Sequence, residues 1–124
     1  MLKRRKASKM GIRTAPQLRS PAHLQWVRGH DCAVKDASCE GRVEACHVRT
    51  GTDGGTGVKP SDRYVIPLCA YHHSRQHNIG EAAFERHYLI SMLSIAATLW
   101  LRSPARNKLV KKGTVEVPKW MIEA

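Results

Sequence analysis

Apolar and polar positions along this chain change period several times, and each change marks an element. Residues 22–28 (AHLQWVR) read as a short helix or an extended lead-in that packs Leu24, Trp26 or Val27. Residues 32–39 lie between two cysteines and read as a knuckle-type turn. Residues 42–48 (RVEACHV) combine β-favouring side chains with partial alternation, which predicts a strand. Residues 50–62 (TGTDGGTGVKPSD) hold four glycines and a proline and form a loop. A second strand follows over 64–68 (YVIPL), with Pro67 interrupting its ladder near the end. A helix starts at residue 69 or 70 and runs to about 77, where Asn78 and Gly80 supply the stop. From 81 to 101 the helical period is sustained by Phe84, Tyr88, Leu89, Met92, Leu93, Ala96, Leu99 and Trp100, which predicts one long core helix.

These elements make an α+β domain over residues 21–103, flanked by a basic flexible arm at 1–20 and a basic irregular tail at 104–124. Gly11, Pro16 and Pro21 break any regular element in the arm. No internal repeat is visible.

Charge narrows the function. Lys and Arg number 21 against 10 Asp and Glu, a net charge of +11 on 124 residues. Residues 1–30 contain no acid but carry Lys3, Arg4, Arg5, Lys6, Lys9, Arg13, Arg19 and Arg28. That density favours a polyanionic partner, nucleic acid before membrane, because neutralised phosphates release counterions. No secretory leader is legible, and the apolar run 89–101 is shorter than the roughly 20 residues a membrane span needs. The expected location is cytoplasmic. Four cysteines without an export signal point to metal rather than disulfides. One Phe, three Tyr and three Trp leave a small core that a metal staple would help to fold.

The segment 68–77 (LCAYHHSRQH) carries the chemistry. On a helix Cys69 and His72 are three apart and share one face, while His73 and His77 are four apart and share another. Neighbouring helical residues point roughly 100° apart, so His72 and His73 serve different centres. Cys69 with His72 needs two further soft ligands for tetrahedral zinc. Cys32 and Cys39 are the natural supply, although their spacing is wide for a knuckle, and Cys46 competes with them. His73 with His77 offers two imidazoles and open positions, an arrangement suited to water and a phosphate oxygen. His47, on the first strand, is the candidate base, since a neutral imidazole of pKa about 6.5 can take a proton from water. The glycine loop is no nucleotide cradle, because Lys59 is flanked by Val58 and Pro60 rather than by Gly and Ser or Thr. His23, His30 and His87 read as packing or surface residues, and Trp26, Trp100 and Trp120 as core or interface anchors.

The order Cys46-His47-Val48-Arg49, then Lys59 and Asp62, then Pro67-Leu68-Cys69, then His72-His73 and His77 resembles the HNH, or ββα-metal, endonucleases. Within that family it looks most like the phage and prophage recombination-enhancement (Ref-like) nucleases, a likeness shared by RSPAHLQWVRGHDC at 19–32 and GEAAFERHY at 80–88. The resemblance covers about residues 19–103. It implies a zinc-stabilised ββα-metal core in which His47 is the general base and His73 and His77 hold a catalytic magnesium or manganese. It also implies structural zinc on Cys32, Cys39, Cys69 and His72. Two positions depart from the family. Cys46 stands where Asp or His can join the catalytic metal, and strand alternation turns it away from the face of His47. The Asn that orients the base has no counterpart in 50–68; Asp62 and Tyr64 are the candidates, and Asp62 is preferred because a carboxylate fixes an imidazole tautomer. Arg49, on the face of His47, is a candidate phosphate clamp.

The function implied is metal-dependent hydrolysis of DNA phosphodiesters in phage or prophage recombination or processing. Lys59 and the arm residues Lys3, Arg4, Arg5, Lys6, Lys9 and Arg13 would contact the backbone, and a recombination protein or nucleoprotein filament is a conceivable partner, with no membrane. The alternative is a non-catalytic, zinc-dependent nucleic-acid-binding module.

Overall fold

The structure is a computed structural model that describes residues 17–55 and 57–111. Its elements are α1 (Pro21–Arg28), β1 (Val43–His47), β2 (Val65–Cys69), α2 (Ala70–Ile79), α3 (Glu81–Tyr88), α4 (Met92–Arg102) and α5 (Pro104–Lys111). This is a small α+β fold around one two-stranded antiparallel sheet.

The sheet register organises everything else. Val43 pairs with Cys69, Ala45 with Pro67, Cys46 with Ile66 and His47 with Val65. Alternation then places Cys46, Val48, Ile66 and Leu68 on one face, where they form the core with Phe84, Met92 and Ala96 of α3 and α4. The opposite face carries Ala45, His47, Val65 and Pro67, and α1 packs across both strands. Pro67 sits inside β2 at no cost to the pairing, because in a two-stranded sheet each strand keeps a free edge. Its carbonyl accepts the Ala33 amide at 2.7 Å and so ties the cysteine turn to the sheet.

Helix boundaries follow local capping chemistry. Ser20 caps α1, its Oγ accepting the His23 amide at 3.2 Å, with Pro21 in the first turn. Cys69 ends β2 and caps α2, its Sγ accepting the His72 amide at 3.5 Å. Gly80 closes α2 at φ 89° with open space around it, so backbone freedom is what this position requires. Gly41 is needed twice over: it has φ 82°, and a Cβ there would lie 2.7 Å from Ala70 Cβ. Its bareness lets the turn lie against the start of α2, where the Ala70 and Tyr71 amides bond to the carbonyls of Arg42 and Glu40.

Three sequence expectations change. The long helix over 81–101 is two helices, broken at Leu89, which adopts left-handed φ 57° and ψ 48°. Ser91 then caps α4 by accepting the Ser94 amide. The tail expected at 104–124 begins with helix α5, which packs on α1 and α4. The arm expected to run to residue 20 is anchored from residue 18: the Leu18 amide donates to Ser61 Oγ and its carbonyl accepts the Asp62 amide, each at 2.9 Å. His23 is buried at the α1–α4 seam, with Nδ1 2.8 Å from Ser103 Oγ and its ring edge-on to Trp100.

Candidate functional site

Cys32, Cys39, Cys69 and His72 converge, with one donor atom from each lying within 4.8 Å of all the others. His72 Nδ1 lies 3.1 Å from Cys69 Sγ and 3.6 Å from both Cys32 Sγ and Cys39 Sγ. Tetrahedral zinc with ordinary bond lengths places nitrogen and sulfur ligands about 3.6 Å apart. One ring nitrogen makes one hydrogen bond, so three sulfurs around it form a coordination geometry rather than a hydrogen-bonded one. The donor set therefore fits a metal such as zinc. Burial would raise the Cys69 thiol, but the His72 and Glu40 backbone, the His72 ring and Cys39 outweigh it and hold it at about 6. Burial dominates at Cys32 and pushes its thiol up to about 11. Metal loading must displace that proton. Cys46, the competing fourth ligand, stays out of the cluster. It is fully buried among the core side chains, and burial, with the charges of Glu81 and Glu44, pushes its thiol up to about 12.

On the other face of the sheet, His47 Nε2 lies 2.9 Å from Asp62 Oδ1. The Asp62 carboxylate is buried, and its Oδ2 accepts the Ser20 amide at 2.8 Å. Arg19 approaches Oδ1 at 3.5 Å and is itself fixed by the carbonyls of Pro60 and Lys59. With its Nε2–H given to Asp62, His47 keeps Nδ1 as the basic nitrogen. Burial lowers the His47 pKa most; Asp62 opposes this, and Lys59 and Arg19 add to it. The imidazole is thus neutral and proton-accepting at pH 7. Tyr64, the other candidate partner, gives β1 only its carbonyl, to the Val48 amide.

His73 and His77 lie side by side on α2 with ring centroids 5.0 Å apart. They line a cleft of about 310 Å³ with Glu44, Ser74 and Asn78. Glu44 is a site residue that the sequence reading missed, and its Oε1 meets His73 Nδ1 at 2.6 Å. Alternation puts Glu44 on the face of Cys46, but its carboxylate is 42% exposed, and only the approach of α2 to β1 gives it His73 as a partner. Glu44 and His47 lie on opposite faces of β1, and among the described residues no hydrogen bond joins the His47–Asp62 pair to the His73–His77 pair.

Arg49 has another occupation than a phosphate clamp. Its Nη1 donates to the carbonyls of Gly55 and Val58 at 3.1 Å each, which braces the glycine loop. The Arg49 and Thr50 amides in turn donate to Glu81 and tie the end of β1 to α3. Lys59 is exposed and near enough to bias His47. Lys3, Arg4, Arg5, Lys6, Lys9 and Arg13 lie outside the described residues. Among the described residues no helix is long and apolar enough to cross a membrane.

Comparisons with curated proteins and with solved structures gave no match. One family does match, over residues 7–103, a span that includes every candidate metal ligand, His47 and Asp62. The chain belongs to the family described as "Protein of unknown function (DUF968)".

Proposed function

We propose that this chain is a metal-dependent endonuclease of the HNH type that hydrolyses DNA phosphodiesters, with Cys32, Cys39, Cys69 and His72 holding a structural zinc ion. The observation that carries this reading is the His47–Asp62 pair: a neutral imidazole held in one tautomer by a buried carboxylate, beside Arg19 and Lys59. Asp62 is also satisfied by the Ser20 amide and by Arg19, so what points to chemistry is that its second oxygen is turned onto the ring of a partly exposed strand histidine and leaves Nδ1 as the basic nitrogen.

In this mechanism His47 Nδ1 accepts a proton from the attacking water, while Asp62 steadies the imidazolium that forms. Lys59 draws the phosphate toward the base through its charge. His73 and His77 would hold magnesium or manganese, which supplies Lewis-acid stabilisation of the phosphorane charge and of the leaving oxygen. The basic arm supplies affinity without sequence readout, since phosphate contacts carry no base information. A role in phage or prophage recombination, with a recombination protein as partner, is the setting this reading favours.

The test is cleavage of supercoiled and single-stranded DNA by zinc-loaded wild type, His47→Ala and Asp62→Asn, each with magnesium, manganese or EDTA. Wild type is expected to cut only with metal, and His47→Ala to lose at least about 100-fold in rate while zinc content and DNA binding persist. The wild-type rate is expected to stay flat from pH 8 to below pH 6.5 and to fall only in more acid solution. Asp62 raises the His47 pKa, so Asp62→Asn should shift that acid limb lower still as well as slow the reaction. DNA binding with no cutting under any metal would sink the nuclease and favour a zinc-stapled binding module.

A further inference from the structure

His73 presents an unusual arrangement for a surface histidine: one of its two nitrogens is already engaged. Its Nδ1 lies 2.6 Å from Glu44 Oε1, the distance of a strong charge-assisted hydrogen bond. A neutral imidazole has one N–H and one lone pair, and a carboxylate can only accept. In the neutral ring, a hydrogen bond to Glu44 therefore puts the N–H at Nδ1 and the lone pair at Nε2. His77 is one helical turn further on, with its ring centroid 5.0 Å away, and both rings line the cleft that Glu44 borders. Cys46, two residues along β1 from Glu44, is sealed in the core and has no access to that cleft.

We propose that Glu44 is the positioning residue of a second metal centre: it locks His73 as the Nδ1–H tautomer and so commits Nε2, together with His77, to a divalent cation in the cleft. Ligating histidines commonly donate their other N–H to a carboxylate, which fixes ring orientation and raises ligand basicity. Glu44 is well suited to that place. It comes from a strand, His73 from a helix, and the bond between them crosses from β1 to α2. The ring is thus held by an element it does not belong to. Two imidazoles, with no third ligand assigned among the described residues, leave several positions for water or phosphate oxygens. This inference rests on the His73–His77 half of the nuclease reading and gives it a residue with no place in the motif.

The experiment uses the full chain loaded with one equivalent of zinc, so that the cysteine site is filled, and takes manganese as the probe. Free manganese is followed by electron paramagnetic resonance, and the His73 ring by long-range proton–nitrogen NMR before manganese is added. Wild type is expected to bind one manganese and to show the Nδ1–H tautomer at His73. Glu44→Ala should lose that tautomer and bind manganese about 10–100-fold more weakly. Glu44→Gln, whose side-chain oxygen can still accept the Nδ1–H bond, should restore the tautomer and most of the affinity. His73→Ala should bind more weakly than either.

Glu44→Ala binding manganese like wild type would overturn the proposal. So would equal loss in Glu44→Ala and Glu44→Gln, since that makes the carboxylate a direct ligand. No DNA cleavage enters these readouts. Tight, Glu44-dependent manganese binding by a protein that never cuts DNA would remove the nuclease and leave the metal centre; cleavage by wild type with manganese binding indifferent to Glu44 would do the reverse.

Discussion

At the scale of single residues, the histidines of this chain divide by what their second nitrogen meets. His47 and His73 each give one nitrogen to a carboxylate, and among the described residues the other nitrogen meets no hydrogen-bond partner. His72 points Nδ1 at three sulfurs, while its buried Nε2 lies 3.4 Å from Asp36 Oδ1. His23 meets Ser103 through Nδ1, and its Nε2 is buried with no partner among the described residues. The cost of that orphan is electrostatic as well as polar. Burial holds the His23 pKa down at about 4, against a distant raising effect of Asp62 and a lowering one of His30. In the unfolded chain the same ring titrates near 6.5, so between the two values the unfolded state binds more protons. Stability is then unaffected above pH 6.5 and falls as the pH drops toward 4. The expected loss from this residue between pH 7 and pH 5 is about 2 kcal/mol. His23→Gln keeps a hydrogen-bonding amide near Ser103 and removes the titration. Urea unfolding of both proteins, zinc-loaded, at pH 7 and pH 5 checks it, because thiol protonation is common to the two and cancels in the difference. Equal losses in wild type and variant would show that His23 is not a titrating burden.

Elements were legible where the chain punctuates itself with residues of one clear meaning. β1, β2 and α2 fall within two residues of their sequence-read bounds, because the glycine loop separates the strands and Gly80, at φ 89°, takes a backbone conformation that ends α2. The site followed the same logic: helical spacing separated the Cys69–His72 pair from the His73–His77 pair without any tertiary information. Glu44 and the bracing role of Arg49 were not legible, because both depend on which strand and loop come to lie beside which helix. The break between α3 and α4 was hidden for another reason. Apolar period continues straight through Leu89, and no glycine or proline announces the stop. Leucine takes the left-handed conformation there while its side chain is 89% exposed. α5 was misjudged although its start, Ser103-Pro104, repeats the Ser20-Pro21 start of α1; its low hydrophobicity outweighed the cue. Since Leu89 bears left-handed strain and buries almost nothing, Leu89→Gly should stabilise the protein by about 0.5–1 kcal/mol. Chemical denaturation would register this as a higher midpoint with an unchanged slope. A lower midpoint would mean that the leucine side chain contributes packing worth more than the strain.

For the whole molecule, the question is what keeps so slight a core folded. The sheet has two strands, and three of the ten residues in the main apolar cluster are cysteines, two of them from the zinc-type site. The cluster joins the turn at 32–39 to the junction of β2 and α2, parts of the chain that otherwise meet through a few backbone hydrogen bonds. Binding free energy of structural zinc is on the order of 10 kcal/mol, comparable with the entire stability of an ordinary domain. Without metal, three sulfurs crowd His72 Nδ1, which can make only one hydrogen bond, and Cys32 remains a buried thiol, so the same residues change from staple to liability. The purified chain is therefore expected to carry one zinc per molecule. A strong chelator should abolish cooperative unfolding and collapse amide dispersion in NMR, and added zinc should restore both. Cys39→Ser should behave as the chelated protein does even with zinc in excess, whereas Cys46→Ser should retain full zinc content and lose only packing stability, since Cys46 lies in the core and outside the donor set. Retention of zinc by Cys39→Ser together with its loss in Cys46→Ser would reverse the ligand assignment and, with it, the account of why this small fold holds together.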